Sequence, residues 1–62
     1  MEYTKQVNRD NIKYTFKTGY KNQFLTFTKQ GNMIEGDTYS RVWAWRNKDK
    51  YEQVLHIIGS DI

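Results

Sequence analysis

Tyr39-Ser40-Arg41-Val42-Trp43-Ala44-Trp45-Arg46 is the stretch on which the fold turns. Aromatic and small or basic residues alternate in it with period two, and both tryptophans of the chain lie there, two positions apart. On a strand, residues i and i+2 share a face. The pattern therefore predicts a strand over Thr38–Arg46, with Trp43 and Trp45 side by side and Ser40, Val42, Ala44 and Arg46 on the opposite face.

Upstream, Ile12-Lys13-Tyr14-Thr15-Phe16-Lys17-Thr18 alternates cleanly, with Ile12, Tyr14 and Phe16 on one face and Lys13, Thr15 and Lys17 on the other. β-Branched and aromatic residues in strict alternation predict a half-buried strand. Gly19-Tyr20-Lys21-Asn22 reads as a four-residue hairpin loop. Residues 23–29 form the returning strand, Leu25 and Phe27 on one face, Phe24, Thr26 and Thr28 on the other. Gln30-Gly31-Asn32 marks the next turn. Met33-Ile34-Glu35 begins a further strand, which Gly36-Asp37 breaks either as a bulge or as a tight turn. The first case gives three main strands and the second four. Tyr3–Val7 is a candidate short edge strand, followed by a turn over residues 8–11.

After residue 46 the period changes. Tyr51, Val54, Leu55 and Ile58 recur at i, i+3, i+4 and i+7, which predicts an amphipathic helix. Asn47 suits its N-cap, Asp49 its first turn and Gly59 its stop. Short connections favour antiparallel pairing. The predicted fold is α+β: a single domain over residues 1–62, with a small antiparallel sheet of three to four strands and one C-terminal α-helix packed on one face. Its expected core is Ile12, Tyr14, Phe16, Leu25, Phe27, Trp43 and Trp45, closed by Tyr51, Val54, Leu55 and Ile58.

A domain of 62 residues buries only about 60% of its unfolded surface, so its stability needs support. With no cysteine, disulfides and thiolate metal sites are excluded, and the absence fits a reducing compartment. An aromatic content of 16% supplies the core instead, and a homodimer is the other recourse. No apolar run is long enough for a membrane span, and Met1-Glu2-Tyr3-Thr4-Lys5-Gln6 lacks the apolar core of a secretory signal. A cytoplasmic location is expected, with no membrane partner.

Catalysis is not expected. No Ser/His/Asp set or carboxylate pair stands out, the four glycines form no phosphate-cradling loop, and no cofactor motif is present. His56 is the single histidine, without a neighbouring acid at ligand spacing, so no metal site is expected.

Ten Lys/Arg against seven Asp/Glu give a net charge of +3. The excess is local: residues 12–34 contain Lys13, Lys17, Lys21 and Lys29 and no acid. The sheet face away from the helix would carry cations and hydroxyls, suited to phosphate contact. The function this supports is a small nucleic-acid-binding accessory protein contacting DNA or RNA through Lys13, Lys17, Lys21, Lys29, Arg41 and Arg46. The same face has a plainer account, since Thr and Lys are common on any solvated antiparallel sheet. Trp43 and Trp45 fit either a core or a platform for stacking bases, and the core is favoured by the face they share with the other strands.

The alternative is a protein-binding module that masks a surface of a larger protein, through apolar groups such as Tyr20, Phe24 and Ile57 or through a sheet edge. The strand-strand-strand-helix order resembles that of several small DNA-binding domains, including the arm-site domains of tyrosine recombinases, in architecture and without a shared motif. The size and charge also resemble those of the small regulators and inhibitors that phages and mobile elements encode.

Overall fold

The computed structural model describes residues 2–18 and 23–61. Its elements are β1 (Tyr3–Val7), β2 (Ile12–Lys17), β3 (Phe24–Gln30), β4 (Met33–Gly36), α1 (Thr38–Arg46) and α2 (Lys48–Ser60). The strands form one antiparallel sheet in the order β1-β2-β3-β4. The α+β fold and the C-terminal helix are as expected. A second helix, α1, was not.

The alternation in β2 and β3 does what period two requires. Cross-strand partners Tyr14–Phe27 and Phe16–Leu25 put four apolar side chains on one face, all buried, and Val54 and Ile58 of α2 close over them. Phe16 and Phe27 meet edge to face at 5.9 Å. Ile12 and Tyr51 pack half-buried against this centre, as do Ile34 and Ile57, while Leu55 is half-buried. β1 is the edge strand expected, and Asn8 donates its N–H to the Asn11 carbonyl at 2.8 Å in the turn that follows. Gly31 takes φ +61° between β3 and β4, a backbone region that glycine enters without strain. The expected loop over residues 19–22 lies outside the described residues.

Thr38–Arg46 is a helix and not a strand. Asp37 starts it: its carboxylate accepts from the Ser40 N–H at 2.7 Å, and its carbonyl accepts from the Arg41 N–H at 2.9 Å. Gly36-Asp37 is thus neither a bulge nor a turn between strands, because β4 ends on Gly36 and Asp37 is the N-cap of α1. The small residues Ser40 and Ala44, one turn apart, are the buried ones and let the helix lie close to the sheet. The Ser40 hydroxyl donates to the Thr26 carbonyl at 3.1 Å, on the part of β3 that β4 does not reach. Only glycine fits at position 36, where a Cβ would lie 2.7 Å from that of Ser40 and 3.2 Å from the Phe27 ring.

The helical conformation redistributes the residues of this stretch. Two positions on a helix are about 200° apart, so Trp43 packs partly buried against the core while Trp45 is 73% exposed. Trp45 is therefore not a core residue. Ser40 and Ala44, expected on the open side, are buried.

Asn47 joins the helices, as C-cap of α1 and N-cap of α2. Its position is as expected but its chemistry is not: the side-chain amide donates back to the Trp43 carbonyl at 3.0 Å. Gly59 does not stop α2, which continues to Ser60 with Asp61 as C-cap. The stop is made by tertiary contacts. Lys29 Nζ donates to the carbonyls of Ile58 at 3.0 Å and Asp61 at 3.1 Å. The Asp61 carboxylate in turn accepts from the Tyr14 hydroxyl and pairs with Lys5, both at 2.7 Å.

Candidate interaction surface

Period two assigns the face of the sheet that the helices leave uncovered. Cross-strand pairing lines up Gln6, Lys13, Thr28 and Glu35 in one row, and Thr4, Thr15 and Thr26 in the next. Lys17 pairs with Phe24, and its N–H donates to the Glu2 carbonyl at 3.0 Å, which puts Glu2 across from it. Lys13 and Lys17 therefore do share this face and are exposed. So are Glu2 and Glu35, which β1 and β4 bring in from outside the acid-free segment. The described part of the face carries both signs.

The other expected cations are elsewhere. Lys29 has the parity of Leu25 and Phe27, so it points to the helix side, where it holds the end of α2. Arg41 and Arg46 are on α1, exposed, and Arg41 Nε donates to the Gly36 carbonyl at 3.2 Å. Lys21 lies outside the described residues. Of the six, the structure puts Lys13 and Lys17 on one sheet face and Arg41 and Arg46 on α1, about 140° apart around the helix.

The uncovered side of α1 is the more unusual surface. Tyr39 is 83% exposed, Val42 47% and Trp45 73%. They share the helix face opposite Ser40 and Ala44, with Arg41 at one border beside Trp45 and Arg46 between Val42 and Tyr39 around the helix. α1 contains no acid, and the carboxylate of Asp37 is engaged as its cap. Beside it, between α1 and the start of β3, runs an open groove of about 650 Å³. Phe24, Leu25, Tyr39, Val42, Trp43 and Arg46 supply its walls, and Arg46 is the one charged side chain among the described lining residues. Phe24 is 57% exposed, whereas Ile57, the other apolar candidate, is half-buried against the core. Tyr20 lies outside the described residues. Tyr39, Val42 and Trp45 emerge as a patch only once the segment is helical. The available signal was Asp37 followed by small residues at i+3 and i+7, a cap and a close-packing stripe.

Titratable groups with displaced equilibria belong to the scaffold and not to this surface. Burial, then the hydrogen bond to Asp61, pushes the Tyr14 phenol up to about 12. Hydrogen bonds from Lys5 and Tyr14 hold the Asp61 carboxyl below its usual range. Among the described residues there is no group of acids and His able to hold a metal ion, and no helix is long and apolar enough to cross a membrane.

Compared with family models, curated proteins and solved structures, the chain gives no match in any of the three.

Proposed function

We propose that the protein is a non-catalytic binding module of the cytoplasm that acts by covering a surface of a larger protein, with the outer side of α1 as its contact. The observation that carries this reading is the cluster of exposed Tyr39, Val42 and Trp45 on one side of a regular helix that also carries Arg41 and Arg46. Trp, Tyr and Arg are the residues most enriched among those that dominate protein interfaces. A pull-down from a lysate of the source cells after nuclease treatment tests it, with wild type beside a Tyr39→Ser/Trp45→Ser variant. A stoichiometric protein band that survives nuclease and vanishes with the variant is expected. An empty lane, or a band the variant retains, removes the reading.

A second reading is a nucleic-acid-binding accessory protein. What favours it is the pair Lys13 and Lys17, exposed on an uncovered sheet face among threonine hydroxyls, groups that suit phosphate oxygens. Anisotropy titrations against DNA and RNA at two salt concentrations test it, because phosphate neutralisation makes affinity fall steeply with salt. Binding that is absent at low salt, or indifferent to salt, counts against it.

A further inference from the structure

We infer that the groove between α1 and the start of β3 receives an acidic protein segment bearing a large apolar anchor. The inference rests on the protein-binding reading and goes further, naming where the partner sits and what chemistry it has.

The apolar part of the argument comes from what the groove exposes. Its floor and walls are Leu25, Phe24, Val42, Trp43 and Tyr39. Leu25 and Trp43 belong to or pack on the core, so the floor is rigid, while Phe24, Val42 and Tyr39 are solvent-facing. A pre-formed apolar cleft with rigid aromatic walls takes a buried side chain at low ordering cost. Thr18 closes the sheet-side end, its hydroxyl and N–H both donating to the Gln23 carbonyl, at 3.1 and 3.3 Å. The polar groups of Thr18 are therefore already engaged.

The acidic part comes from charge. Arg46 stands in the lining with no carboxylate partner among the described ion pairs. Lys17 is the register partner of Phe24 at one border, with Glu2 across from it. Lys48 and Lys50 follow Arg46 in a second, shallower depression that also holds Trp45. Asp49 is there too, but it lies in the first turn of α2, where the helix N-terminus favours its charge. Around the groove, Lys17, Arg46, Lys48 and Lys50 thus outnumber Glu2 and Asp49, and its described lining contains Arg46 and no acid. Complementary charge speeds encounter and rejects partners of the wrong sign, so the occupant that fits carries Asp or Glu around its anchor. A basic segment, a nucleic acid or a second copy of this chain would have to meet the same apolar floor with different chemistry.

A random-peptide display selection on the immobilised full chain tests this. An Arg46→Glu/Val42→Ser variant serves for counter-selection, both positions being exposed, and its folding is checked by circular dichroism. Enrichment of peptides that combine Asp or Glu with Trp, Phe or Leu is expected. A selected peptide should lose about tenfold or more in affinity on Arg46→Glu, the scale on which close interfacial charge pairs act. Lysine- or arginine-rich winners, winners that bind the variant equally, or no enrichment overturns the inference. So does self-association of the wild type that Arg46→Glu abolishes, since the occupant would then be a second copy, and so does displacement of the peptide by single-stranded DNA at stoichiometric concentration. If the cellular partner is lost with Tyr39→Ser/Trp45→Ser while no acidic peptide is selected, the proposed function stands and this inference alone falls.

Discussion

Tyr14, Phe16 and Phe27 on the β2–β3 hairpin are buried, whereas Tyr39 and Trp45 on α1 are 83% and 73% exposed. Both sets are large aromatics on regular elements, yet only the first holds the domain together. In a chain of 62 residues, each aromatic withheld from the core forgoes an area of roughly 150–250 Å². A small domain that leaves such side chains outside has the means to bury them against something else. The contrast separates stability from binding, residue by residue, and substitutions can test that separation.

The largest effect is expected inside the hairpin. Phe27 touches Phe16 edge to face, faces Tyr51 at 5.9 Å and backs onto Gly36. Phe27→Ala should cost about 3–5 kcal/mol, the usual range for a buried phenylalanine. That is a large share of the stability of any small domain. Urea denaturation should find the variant largely unfolded; a loss below about 1 kcal/mol would mean the two regions do not differ as described.

Next comes the seam between the regions. Gly36→Ala places a methyl 2.7 Å from Ser40 Cβ and 3.2 Å from the Phe27 ring, forcing α1 off the sheet. Overpacking of this kind costs about 1–3 kcal/mol. Since α1 presents the proposed contact, Gly36→Ala should weaken partner binding as well as stability, which Phe27-independent surface changes would not do. Unchanged stability in a denaturant titration would show that α1 is not held at this distance.

The seam also explains what could be read from the amino-acid order. In β2 and β3 the alternation and the burial obey one rule, so Ile12 to Phe16 and Leu25 to Phe27 could be assigned from local pattern. α2 was equally plain, because Tyr51, Val54, Leu55 and Ile58 fit a helical period and no strand period. Tyr39 to Arg46 satisfies period two by composition, and Tyr, Val and Trp all favour strands. What makes it a helix is partly local, since Asp37 caps it, and partly tertiary, since the small Ser40 and Ala44 are buried and Ser40 lies against Gly36. The proposed contact was hidden for the same reason, since a strand keeps Trp43 and Trp45 together and a helix parts them. Lys29 is a different kind of miss. Its parity with Leu25 and Phe27 already placed it on the helix side. Glu2 and Glu35 joined Lys13 and Lys17 only through strand register, which no local pattern contains.

A pH-dependent effect tests how the hairpin holds α2. Asp61 has its carboxyl lowered in the folded state by Lys5 and Tyr14. Its contribution is therefore present above the ordinary carboxyl value and lost as pH falls through the folded one. Tyr14, raised from 10.0 to about 12, contributes fully below the unfolded value and loses that contribution as pH climbs between the two. Denaturation midpoints should decline at both extremes. Asp61→Asn should flatten the acid limb and bring the Tyr14 ionisation, followed by tyrosinate absorbance, part of the way back. Burial, the larger cause, remains in that variant. An unchanged acid limb would mean that Asp61 does not fasten the helix end.

The smallest expected effect on stability is the most telling for function. Trp45 is 73% exposed and faces away from Ser40 and Ala44, so Trp45→Ser should change the unfolding free energy by no more than about 0.5 kcal/mol, as surface substitutions do. If Trp45 anchors an interface, the same substitution should weaken partner binding by about 2 kcal/mol or more, roughly thirtyfold. Trp43→Ser should do both, because its indole packs on the core and lines the groove. The pair thus gives an internal control on opposite sides of one helix: stability lost with Trp43 and retained with Trp45, binding lost with both. Should Trp45→Ser destabilise the fold as much as Trp43→Ser, the aromatic side chains of α1 would belong with those of the hairpin, and no surface would be left over for a partner.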